Sequence, residues 1–254
     1  MIRRLGVMSM GIGLLLWIGT GCAGIGNSGD LSPLDISTRF LPVPATVPPL
    51  DSLRHVQIQE GDERLQFDTE SSFGELMQTW SSGYRVRRGP DLFEAGRMRS
   101  FATLWSREMR LVQFDQRTSI GAYPKGEAQR EIAVRVDEPH AHSILIDVHV
   151  YIDRSRRSSY GITNLRNARW EIVLRTDTGT EIAPDSIDAT WARPMTWSNN
   201  EQAHYRHNTL RFPRTTEGTP DVLQGVETLE LYIRDATASV EFLFGWRFER
   251  NSGR

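Results

Sequence analysis

One cysteine, Cys22, and one lysine, Lys125, occur in the 254 residues of this chain. A single thiol excludes an internal disulfide framework. The N-terminal apolar run from Leu5 to Ile18 is shorter than the roughly 20 residues that cross a bilayer, which excludes a spanning helix there. A surplus of charge of one sign is missing too, since 30 basic residues face 32 acidic ones for a net charge of −2. Such a body exerts no global pull on nucleic acid and is not charged enough to be disordered. With lysine nearly absent, almost every cation is a scattered arginine, a compositional bias rather than a phosphate site. Also absent are a Gly-x-Ser-x-Gly elbow, a phosphate loop, a dinucleotide fingerprint and His-Glu-x-x-His. No catalytic residue and no cofactor are therefore assigned.

Arg3 and Arg4 precede the apolar run, small residues Gly19, Thr20 and Gly21 follow it, and no acid stands before Asp30. A basic head, an apolar centre and a small-residue cleavage region are the parts of an export signal. Ile18-Gly19-Thr20-Gly21-Cys22 resembles the lipobox of bacterial lipoproteins, with Gly19 where that family usually carries an aliphatic residue. The resemblance covers the first 22 residues only. It implies cleavage before Cys22, acylation of its thiol and a membrane anchor made of lipid; two or more chains make such attachment durable. Ala23, where an aspartate would resemble an inner-membrane retention signal, points to the outer membrane. Losing Arg3 and Arg4 moves the formal charge from −2 to −4. An ordinary cleaved secretory signal is the alternative.

Four segments follow: a signal over 1–21, a lipidated Cys22 with a Gly/Pro-rich tether over 22–50, an N-terminal part with short helices over 51–115, and a β-sandwich over 116–250. Gly24, Gly26 and Gly29 suit a flexible tether, which Pro42, Pro44, Pro48 and Pro49 stiffen. His55 to Phe67 reads as strands about a Gly61-Asp62 turn. Ser71 or Ser72 caps a helix through Phe73, Leu76, Met77 and Trp80. Leu92, Phe93, Met98, Phe101, Leu104, Trp105 and Met109 recur at roughly helical spacing, with Arg107 to Phe114 as an alternative strand. From Glu131 the period changes to two. Ser143 to Ile152 alternates most clearly, with Ile144, Ile146, Val148, Val150 and Ile152 opposite Leu145, Asp147, His149 and Tyr151. Val240, Phe242, Phe244, Trp246 and Phe248 predict an interior strand. Short strands punctuated by turns predict a mainly β chain, an antiparallel β-sandwich of immunoglobulin-like or jelly-roll type with a small helical element before it.

Two groups of residues are candidates for function. His140 and His142 after Pro139, with His149 and Asp147 on one strand face, form a weak metal-like set; His204 and His207 form another with no cue placing them nearby. Surface polarity explains these histidines equally well. The segment 190–207 is too long for a simple hairpin turn, and Trp191, Trp197, Asn199, Asn200, Tyr205 and Arg206 mix flat apolar faces with hydrogen-bonding groups. Inward-folded tryptophans plugging the sandwich are the competing reading. The chain is thus expected to be a lipid-anchored envelope protein, a non-enzymatic binding or structural module for an envelope protein or glycan. The alternative is an envelope hydrolase, acting on glycan or depending on metal, that uses the histidine segments.

Overall fold

Alternation of apolar side chains builds two sheets. The computed structural model describes residues 31–89, 98–153, 164–196, 202–215, 221–235 and 240–250. In chain order, α1 (Pro33–Ser37) and β1 (Ala45–Val47) precede a hairpin of β2 (Val56–Glu60) and β3 (Leu65–Thr69). Then come α2 (Phe73–Thr79), β4 (Ser81–Gly83), β5 (Arg85–Arg88) and β6 (Met98–Leu104). Helices α3 (Arg107–Thr118), α4 (Lys125–Ile132) and α5 (Glu138–His142) lead into β7 (Ser143–Asp153). The remainder is β8 (Trp170–Thr176), β9 (Glu181–Ile182), β10 (Ser186–Ala189), β11 (Arg193–Thr196), β12 (Gln202–Pro213), β13 (Thr228–Asp235) and β14 (Glu241–Phe248).

One sheet has the order β1-β14-β13-β8-β9 with β5 also on β14; the other has β10-β12-β7-β6-β4 with β11 also on β12. Apart from the parallel β1–β14 pair, the pairings are antiparallel. Ile172 and Leu174, Leu229, Leu231 and Ile233, and Phe242, Phe244 and Trp246 line the inner side of the first sheet. Ile144, Ile146, Val148 and Val150 meet them from the second, and all share one core. The chain is mainly β, a β-sandwich with few helices. The aromatic strand β14 is interior, flanked by β13 and by β1 and β5, as its composition requires.

Local signals explain the elements that sequence reading placed well. Ser72 caps α2 through the Glu75 N–H, and the Glu75 carboxylate returns to the Ser72 N–H, a reciprocal capping box. Gly179, at φ +88°, closes the β8–β9 turn in a conformation glycine adopts without strain.

Five expectations are corrected. Of the tether predicted over 22–50, residues 22–30 lie outside the described residues, and from Leu31 the chain is docked, with Ile36, Leu41, Ala45, Val47 and Leu50 in the core. Prolines favour extended backbone, and a short edge strand such as β1 uses the same conformation. The helix expected through Met98 and Leu104 is strand β6. Both faces of β6 are largely covered, so Met98, Phe101 and Leu104 mimic helical spacing although Ala102 and Leu104 face the sheet–sheet core and Phe101 faces away. The alternative strand at Arg107 to Phe114 is helix α3, capped by Ser106. The strand expected at Glu131–Val136 is helical, and the chain stays helical from Lys125 to His142. Its buried stripe is Ala128, Ile132 and Val136, packed with Leu65, Leu111 and Ile120 in a second, smaller core. A π turn spans Ala133–Asp137, where the Glu138 N–H reaches Ala133 O, just before Pro139, which has no N–H to give. The proposed boundary near residue 116 is crossed by sheet pairing, because β4 and β6 belong to the β7 sheet and β5 pairs with β14.

Val134 and Val136 would share a face in a strand, but in the helix Val134 is 55% exposed and Val136 1%. Val136→Ala is expected to cost about 2 kcal/mol of stability and Val134→Ala less than about 0.5 kcal/mol, measured by urea unfolding. Equal losses would restore the strand assignment.

Candidate functional site

The face of β7 that points away from the sheet–sheet core is polar and aromatic, yet mostly buried. Register sets its composition: β12 places Tyr205 opposite Tyr151, His207 opposite His149 and Thr209 opposite Asp147. Strand β6 adds Phe101 opposite His149 and Thr103 opposite Asp147. Three rings stack across the strands, Phe101 on His149 at 4.5 Å and 15°, and His149 on His207 at 4.8 Å and 7° between centroids and planes. Tyr151 and Tyr205 stack at 4.8 Å one step along. These are the cross-strand ring pairs that stabilise a sheet face.

Asp147 is the polar hub of this face. Its Oδ2 accepts the Trp105 indole N–H at 2.8 Å, and its Oδ1 accepts the Thr209 hydroxyl at 2.8 Å and lies 2.9 Å from His207 Nε2. Burial drives the Asp147 carboxyl up, but the His207 bond foremost, with the Thr209 bond behind it, carries it below the ordinary carboxylate value. His149 is 3% exposed, and burial pushes its imidazole down to about 3 against the attraction of Asp147. It is therefore neutral at physiological pH. Its Nδ1 lies 3.0 Å from the Tyr205 hydroxyl, whereas its buried Nε2 has no hydrogen-bond partner. Burial, and then the Asp147 charge, push the Tyr205 phenol up to about 12. Asp147, His149 and His207 each offer a ligand atom, all within 4.8 Å of one another. Two imidazoles and a carboxylate suit a transition-metal ion, and the His207–Asp147 contact equally suits proton transfer.

Of the weak metal set, His149 and Asp147 belong to this cluster and His140 and His142 do not. His140 and His142 lie on α5 rather than in a loop, where residues two apart point in divergent directions. His142 is exposed, while buried His140 bonds Asp51 Oδ1 through Nε2 at 2.7 Å. Arg214 grips the same Asp51 with two bonds, at 2.9 and 2.8 Å, and also holds Asp221. Arg214 and then His140 hold the Asp51 carboxyl far below its usual range.

The expected 190–207 loop is in large part an edge hairpin, in which Arg193–Thr196 pairs with Gln202 to Tyr205. Tyr205 joins the His149 cluster, whereas Arg206 points to the opposite face and is buried. Trp191 is 89% exposed, so it does not plug the sandwich. Trp197, Asn199, Asn200 and Cys22 lie outside the described residues. Thr209 and Trp105 escaped sequence reading as site residues, and His207 was paired there with His204 rather than with His149. The signal available was the every-second-residue row Tyr205, His207, Thr209, the counterpart of Asp147, His149, Tyr151.

His140 supplies a test of the electrostatics beside this site. Burial lowers its pKa below 6.5 in spite of the Asp51 bond, so the unfolded state takes up the proton first. The resulting stability is complete above pH 6.5 and declines as the pH falls through that value. His140→Gln, which keeps an N–H for Asp51, is expected to flatten the loss between pH 6.5 and 5 by up to about 1.4 kcal/mol per pH unit. Urea unfolding at several pH values measures this, and identical slopes for the two proteins would refute it.

No protein-family model, curated protein or solved structure matches the chain, so its function rests on the chemistry of its own residues.

Proposed function

We propose that this chain is a lipid-anchored protein of the bacterial cell envelope whose β-sandwich is a non-enzymatic binding module. Support for the anchor is the arrangement of Arg3, Arg4, the Leu5 to Ile18 run and Gly21-Cys22. Acyl chains on Cys22 hold the body at the outer membrane, with each buried methylene contributing about 0.8 kcal/mol.

The observation that carries the binding role is Trp191. Its neighbour Thr190 is fixed to β12: the Thr190 N–H donates to His207 O at 2.9 Å, and the His207 N–H donates to Thr190 Oγ1 at 3.1 Å. The indole is therefore presented to solvent from a backbone that is tied down on the residue before it. Covering about 200 Å² of such a side chain is worth up to about 5 kcal/mol, and a tryptophan held in place loses little entropy on contact. The partner is an envelope protein or a glycan, whose sugar rings stack on flat aromatic faces.

A second reading, an envelope hydrolase, is favoured by one observation, the convergence of Asp147, His149 and His207. It assigns His207, the more accessible histidine, to the substrate side.

Fractionation of cells expressing Cys22→Ser is expected to show the protein moved from the membrane to the soluble fraction; unchanged membrane retention would remove the anchor. A photo-crosslinking residue at position 191, used in intact membranes, is expected to yield a discrete adduct that the same residue at exposed position 134 does not. Equal or absent adducts at the two positions would dismiss the binding surface.

A further inference from the structure

We propose that Asp147, His149 and His207 form a binding site for one divalent transition-metal ion of the zinc and copper class. The site belongs to the sandwich body and stands independently of the lipid anchor and of the Trp191 surface.

Three features of the cluster point to a metal rather than to a hydrogen-bond network alone. The first is the orphaned nitrogen. A buried polar atom without a partner costs about 1–3 kcal/mol, and His149 Nε2 is such an atom, on a ring that offers a ligand atom within 4.8 Å of those of Asp147 and His207. In the tautomer whose Nδ1–H donates to the Tyr205 hydroxyl, 3.0 Å away, the Nε2 lone pair is free, the arrangement in which an outer partner fixes the tautomer of a ligating histidine. The second feature is orientation from behind. Trp105 holds the far oxygen of Asp147, Thr209 holds the near one, and Phe101 stacks on the His149 ring. The third is access: His207 is 28% exposed, so an ion enters from the β12 side and a fourth coordination position opens there.

Geometry states what must move. Bonds of about 2.0–2.1 Å in a tetrahedron place ligand atoms about 3.3 Å apart. The Asp147–His207 pair is already 2.9 Å apart, and the widest separation is at most 4.8 Å, so about 1.5 Å of closure is needed. An ion also lies in the plane of each imidazole it binds, so the parallel rings must tilt. His207, partly in solvent, is the ring that turns; His149 is held by Phe101 and Tyr205. Two imidazoles with a single carboxylate select zinc or copper over calcium and magnesium, which demand more oxygen ligands.

The test is isothermal titration of the full chain in detergent, freed of metal by chelator, with zinc chloride, copper sulfate and calcium chloride. One equivalent of zinc or copper is expected to bind and calcium is not. His207→Ala, at a partly exposed position where folding survives, is expected to weaken binding more than tenfold. Thr209→Val, which only orients Asp147, is expected to weaken it about tenfold, and exposed His142→Ala to leave it unchanged. Imidazole nitrogen NMR should show the His149 Nε2 resonance shift on saturation with zinc. Absence of stoichiometric binding, or binding that survives His207→Ala while His142→Ala abolishes it, would overturn the site.

Discussion

The pairing register of β7 against β12 is the constraint on which the rest depends. The ladder runs through eleven residue pairs, from Ala203 with Asp153 to Pro213 with Ser143. Ile144, Ile146, Val148, Val150 and Ile152 point toward the opposite sheet, and each contributes about 1.5–3 kcal/mol by its burial. A slip of one residue would turn that whole set outward and bring Asp147, His149 and Tyr151 into the apolar core. The core thus enforces the register, and the register alone makes His207 a neighbour of His149. Two histidines 58 positions apart in sequence are brought together by the hydrophobic face of the same strands.

Legibility in the sequence followed how far each signal had to reach. The β7 alternation and the serine cap of α2, narrowed by the structure to Ser72, depend on residues a few positions apart and were legible. Strand β6 did not, because a strand covered on both faces loses its period of two, and Met98, Phe101 and Leu104 then imitate a helix. At Glu131–Val136 the error ran the other way. Val134 is exposed and Val136 buried, yet in sequence they sit two apart like neighbours on a strand face. The stripe that decides the matter, Ala128, Ile132 and Val136, begins before the window that suggested alternation. Residues 31–50 were misread because proline content reports extended backbone without saying whether a sheet edge receives it. As for the site, His149 and Asp147 were visible as a pair on one face. His207 was not, since no local pattern states which strand lies beside which.

Stability does not account for the Asp147 cluster. Buried ionic and polar groups are often replaceable by well-packed apolar residues at no loss, or with a gain. Here the hub carboxylate needs Trp105, Thr209 and His207 to offset its desolvation, and one nitrogen of His149 still has no partner. An apolar row at positions 147, 149 and 207 would pack between Phe101 and the tyrosines with less expense. Retention of a fully built but incompletely satisfied network is what a ligand site requires, because the ligand completes it.

The docking of α1 and β1 shortens the connection to the proposed anchor. Leu31 onward is tied into the core, so under that proposal the reach from Cys22 to the body is nine residues. Nine residues extend at most about 30 Å, which would keep an anchored body close to the lipid headgroups. Helix α1 at the end of that tether lies against the outer face of the β7 sheet, where Ser37 hydrogen-bonds the Tyr151 hydroxyl. It closes the Tyr151 end of the aromatic row and leaves approach to His207 from the β12 side. Thr190 binds the His207 backbone there, and Trp191 follows it in the chain. The same two bonds that tie down the backbone before the exposed indole therefore also brace the strand residue that carries the accessible imidazole.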